Sequence, residues 1–170
     1  MFVGWDNFYV VLGTSGGALI GIMALVATLT SGNDHSKALR GQRLYLTPTV
    51  FHMAAVLTLS AVELAHTAER AFHLLLMAAL VLYGLGFAVV IAVQLARADR
   101  SSAPHWSDFW CYGFLPAAVY GLLAIALAST AAWPVQACYA FALGLLVLLL
   151  VAIRNAWDLV TWLAPRKPPV

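Results

Sequence analysis

The chain alternates long apolar runs with short polar connections, and that alternation sets its architecture. Apolar residues fill the segments 8–29, 48–65, 72–95, 109–132 and 135–151, the last continuing to 163. Each run is longer than an ordinary strand and none alternates residue by residue, so the pattern predicts helices. A hydrocarbon core of ~30 Å takes roughly 20 residues of helix. The prediction is therefore an all-α polytopic membrane protein, a five-transmembrane-helix bundle forming one integral domain over residues 1–170.

Composition agrees with the pattern. Hydrophobic residues make up 63% of the 170 and charged residues 9%, where a soluble domain carries about 25% charged residues. So few charges cannot coat a water-facing surface of this size. The opening residues lack a basic stretch and a small-residue cleavage pattern, so no signal peptide is expected. A net charge of +2 gives no reason to expect a nucleic-acid partner.

Lysine and arginine predict the sidedness. The first connection holds Lys37, Arg40 and Arg43, the third Arg97 and Arg100, and the tail Arg166 and Lys167. The second connection has Arg70 alone. With five spans the basic segments share one side, which the positive-inside rule makes cytoplasmic. The amino terminus is then outside and the carboxy terminus inside. Trp5 and Trp133 fall at the outer interface, and Trp106, Trp110, Trp157 and Trp162 at the inner one, where indoles anchor. Cys111 and Cys138 fall on opposite faces of the bilayer, which excludes a disulfide between them.

Polar residues inside the spans are the candidates for function. In the second span Thr47 and Pro48 precede His52. Either Thr47 caps a helix whose first residue is Pro48, or the helix starts near Arg43 and Pro48 kinks it; the Thr-Pro pair favours the cap. His52 then sits about 6 Å inside the inner surface. Gln94, Arg154, Asn155 and Asp158 fall at similar depth, and Asp158 follows Arg154 by one turn, so the two are expected to pair. These five residues are candidates for an inner vestibule, with an interfacial helix end as the plainer alternative for the last three. A second group, Glu63, His66, Glu69 and His73, marks the outer turn between spans two and three. Two histidines and two carboxylates suit a divalent metal or proton uptake, although a short charged hairpin is the ordinary way to end two spans. No resident metal, haem or other cofactor is expected, because the spacing matches no ligand signature. In the first span Gly13, Gly17 and Gly21 repeat every four residues and predict a close helix contact within the chain, with a subunit interface or a pore-lining face as the alternative.

No nucleophile elbow, phosphate loop, dinucleotide fingerprint or zinc-protease motif occurs, so no enzyme is expected. The blocks "FYVVLGTSGGALIGIMALVATL", "LTPTVFHMAAVLTLSA" and "IRNAWDLVTWL" resemble those of a family of small, uncharacterised bacterial multi-pass membrane proteins. The likeness covers roughly half the chain; it implies a bacterial inner-membrane protein and no particular activity. The functional expectation is a small homo-oligomeric channel or transporter for an ion or proton, with an accessory or scaffold subunit of a larger inner-membrane complex as the alternative.

Overall fold

The structure is a computed structural model that describes residues 4–30, 45–65, 69–97 and 106–163. All regular elements among them are helical. They are α1 (Asp6–Thr30), α2 (Thr47–Leu64), α3 (Arg70–Arg97), α4 (Leu115–Ala128) and α5 (Pro134–Leu163). A helical turn, Trp106–Asp108, and a π-helical segment, Phe109–Phe114, lead into α4. Five helices are long and apolar enough to cross a membrane, the π-helical segment and α4 counting as one. The chain is thus a multi-pass α-helical membrane protein. Lys37, Arg40, Arg43, Arg100, Arg166 and Lys167, which carry the sidedness argument, lie outside the described residues, as does His66.

Sequence neighbours pack together, α1 on α2, α3 on α4 and α4 on α5, and α2 also lies against α5. The centre is filled by Tyr120, Phe141, Leu145, Leu148, Met77 and Val81, all fully buried. Large apolar side chains such as Leu75, Leu82, Ile125 and Leu143 point outward. A soluble bundle would cover these or replace them with charge, whereas lipid solvates them without penalty.

Glycine sets the α1–α2 contact, but not in the predicted register. A Cβ on Gly13 would lie 3.3 Å from the Ser60 Cβ, and one on Gly16 only 2.9 Å from the Met53 carbonyl oxygen. Gly17 and Gly21 meet nothing within 4 Å. The close face therefore runs through Gly13 and Gly16, three residues apart, and the later glycines of the expected repeat turn away from it. Gly16→Ala is expected to destabilise the protein by about 1–3 kcal/mol, because a backbone carbonyl cannot step aside. Gly17→Ala should stay within ~0.5 kcal/mol of the parent. Thermal unfolding of the two variants in detergent checks the contrast.

The start of α2 also departs from expectation. Tyr45 and Leu46 are already helical, and the residue at the capping position is Leu46, with no side-chain cap. Pro48 sits in the first turn, where a missing N–H is tolerated. The Thr49 hydroxyl donates to the Tyr45 carbonyl at 2.7 Å and ties the π-helical lead-in to the span. Helical backbone thus reaches back past Thr47 to Tyr45, where this stretch of described residues begins, and Thr47 does not cap the span. The fourth span ends at Ala128 rather than 132, since residues 129–132 form the turn into α5.

Candidate functional site

The buried face of α2 carries most of the polar side chains in the core. Thr49, His52, Ser60 and Glu63 are each no more than 4% exposed. Their spacings of three, eight and three residues keep them near one face of the helix. That face looks into the bundle, so these groups meet side chains of other spans rather than lipid.

Near the end where α2 turns toward α3, the His73 Nε2 lies 3.3 Å from the Glu63 Oε1. Both residues are 4% exposed. The two close the α2–α3 hairpin from inside, one from the last turn of α2 and one from the first turn of α3. Tyr9 on α1 and Cys138 on α5 are close enough to feel the Glu63 charge. Groups from four helices thus converge there. Of the expected outer cluster, Glu63 and His73 come together, Glu69 is exposed, and His66 lies outside the described residues. No group of three metal-ligating side chains occurs among the described residues.

Deeper in the span the His52 Nδ1 lies 3.2 Å from the Tyr120 hydroxyl of α4. Both residues are fully buried. Gly84 of α3 makes room for the phenol, since a Cβ there would run into the Tyr120 ring. Gly84→Ala is therefore expected to push Tyr120 off His52. The check is a moved His52 ring resonance together with a loss of about 1–3 kcal/mol in stability.

The opposite end of the bundle is organised around a break in the fourth span. The Leu115 N–H bonds the Trp110 carbonyl five residues back, in π register. The next such bond would join residue 116 to the Cys111 carbonyl, but residue 116 is proline and has no N–H. The Asn155 Nδ2 of α5 donates to that carbonyl instead, at 3.0 Å. The Asn155 Oδ1 accepts from the Arg154 Nη1 at 3.1 Å. The Tyr112 hydroxyl donates to the Asn155 main-chain carbonyl at 3.0 Å and reaches the Asp158 Oδ2 at 3.4 Å. Tyr45 packs edge-on against the Tyr112 ring at 5.0 Å. Burial, and then the Asp108 carboxylate, pushes the Tyr45 phenol up to about 12, so it keeps its proton at neutral pH.

These contacts revise the expected vestibule. Arg154 and Asp158 do not pair: the guanidinium goes to Asn155 and the carboxylate to Tyr112. Gln94 is exposed on α3 and joins none of them. His52 belongs to a separate, deeper pair with Tyr120. Arg154, Asn155 and Asp158 of the predicted five thus share one hydrogen-bonded group with Tyr112; Asn155 is buried, and Arg154 and Asp158 are exposed. Tyr9, Tyr112 and Tyr120 went unsingled in the sequence, because tyrosine in an apolar run ordinarily marks packing or an interface.

The α2 face, the His52–Tyr120 pair and the Tyr112–Asn155 group place polar side chains inside the bundle, and Val56, one turn beyond His52 on α2, is fully buried. No protein-family model, curated protein or solved structure matches the chain.

Proposed function

We propose that this membrane protein moves protons, or an ion coupled to protons, across the bacterial inner membrane, as a small channel or transporter. The observation that carries the proposal is the series of buried polar groups along α2. Glu63 and His73 stand at one end, His52 and Tyr120 deeper in, and Tyr112 at the other end, where it packs on the half-buried Tyr45 and reaches the exposed Asp158. Ionisable side chains are expensive in a membrane interior and concentrate where charge is moved. Among the described residues, Tyr9, His73 and Cys138 lie near Glu63, and Tyr120 is bonded to His52. All can hold or pass a proton, and none adds a fixed positive charge that would immobilise it. A core closed by Phe141, Leu145 and Leu148 favours protons, which travel along hydrogen bonds, over hydrated ions, which need a bore.

The orientation that goes with the proposal has the amino terminus outside and the tail in the cytoplasm, supported by the positions of lysine and arginine. Liposomes that hold the purified protein and a trapped pH dye test the proposal under a potassium diffusion potential. Acidification faster than in empty liposomes is expected. Folded protein giving the empty-liposome rate would remove it.

A second reading, an accessory subunit of a larger inner-membrane complex, draws on Gly17 and Gly21. Both are open to another helix, and small residues on an outer face let helices approach closely. The same face would serve a second copy of this chain. Purification in mild detergent separates these cases by the mass and composition of what comes with the protein.

A further inference from the structure

Two buried polar atoms of α2 lack a hydrogen-bond partner among the described residues, the His52 Nε2 and the Ser60 Oγ. Both residues are 0% exposed. For His52 the gap persists in either tautomer. If the Tyr120 phenol donates to the Nδ1, the Nε2 carries a hydrogen with no acceptor. If the Nδ1 donates to the phenol, the Nε2 is a bare lone pair and the phenol hydrogen needs a place. Ser60 is also set apart from the other hydroxyls of its helix. Thr49 and Thr58 both return their hydroxyls to the carbonyl four residues back, at 2.7 and 2.8 Å. Ser60 does not, and a Cβ on Gly13 of the facing helix would be 3.3 Å from its own Cβ.

Between these two atoms lies Val56, 0% exposed. Eight residues of helix separate His52 from Ser60 by ~12 Å along the axis, and hydrogen-bonded oxygens stand about 2.8 Å apart, so a chain of water spanning that rise would take roughly three molecules. Buried polar atoms without protein partners are where internal water is found. Apolar side chains across such a path act as a constriction that wets and dries.

We propose that α2 holds an internal water site at the His52 Nε2 and the Ser60 Oγ, and that Val56 between them is the dry constriction gating passage toward Glu63 and His73. The proposal rests on the proton-transfer reading above and adds the step that limits it. Water reaching past Val56 joins the His52–Tyr120 pair to Ser60, and Ser60 lies one turn from Glu63. Retreat of that water breaks the path while the hydrogen bonds at each end stay in place.

The test combines two readouts on near-isosteric variants. Water contacts at the His52 ring are read by NMR in detergent, with His52→Gln to assign the signal. Proton flux is read in liposomes for the parent, Ser60→Ala, Val56→Thr and Glu63→Gln. A water contact at His52 is expected, with flux about fivefold higher in Val56→Thr and about tenfold lower in Ser60→Ala, each the size of one hydrogen bond gained or lost along the path. If Val56→Thr fails to fold, Val56→Ala widens the same constriction and is expected to raise flux too. Parent-like flux in both the Ser60 and Val56 variants, with Glu63→Gln silent, overturns the gate and leaves proton transfer standing. A folded protein with no water contact at His52 overturns the water site. A parent at the empty-liposome rate overturns both the transport reading and the gate built on it.

Discussion

Glu63→Gln is expected to cut proton flux in liposomes at least tenfold, a loss of about 1.4 kcal/mol or more at the limiting barrier, while the protein still folds. The amide matches the carboxylate in size and still offers an oxygen to the His73 Nε2, now 3.3 Å from the Glu63 Oε1. What it cannot do is take up or release a proton. Glu69→Gln is the matched control. Glu69 carries the same chemistry a turn away in the hairpin but is exposed, so its loss should leave flux at the parent rate. Equal flux in all three proteins would show that protons do not pass through Glu63. Equal loss in both variants would mean that the hairpin acts through its surface charge rather than through the buried pair.

The second large effect concerns stability. Asn155→Ala removes the donor that satisfies the Cys111 carbonyl and the acceptor that holds Arg154. A main-chain carbonyl left bare in a buried helix is expected to cost about 1–3 kcal/mol. The cause lies in Pro116, so the cure should lie there too. Pro116→Ala restores an N–H one π-turn beyond Cys111, and Asn155→Ala in that background should be milder by at least ~1 kcal/mol. Thermal or denaturant unfolding of the four proteins in one detergent gives the coupling. Strictly additive losses would show that Asn155 stabilises α5 for some other reason, such as the Tyr112 contact to its main chain.

The five spans were legible because lipid demands long uninterrupted apolar runs, and few alternatives bury so little charge. Positions on a helix were less legible. Gly13, Gly17 and Gly21 keep a four-residue rhythm, yet the contact uses Gly13 and Gly16, because the crossing of two helices selects a short patch rather than a stripe. Arg154 and Asp158 stand one turn apart as an ion pair would, but nearer partners on the bundle side take both. Glu63, His73 and His52 stood out as ionisable groups in apolar surroundings. Their partners Tyr9 and Tyr120 did not, since a phenol in a membrane helix becomes informative only once its neighbour is known. The π register of Phe109–Phe114 left no trace in the hydrophobic pattern. Pro116, which the hydrophobic pattern does not single out, denies the Cys111 carbonyl its π-register donor, and Asn155 supplies one from α5.

The contact between α1 and α2 bears on how the chain enters the membrane. α2 is the shortest of the four uninterrupted spans and the least apolar of the five, and it carries both His52 and Glu63. Such a segment leaves the translocon for lipid reluctantly on its own merits. α1 precedes it during synthesis and presents Gly13 and Gly16 as a ready seat. The two are therefore expected to insert as a hairpin, so that a truncation deleting α1 loses the second crossing along with the first, as glycosylation or protease mapping of the truncated chain would show.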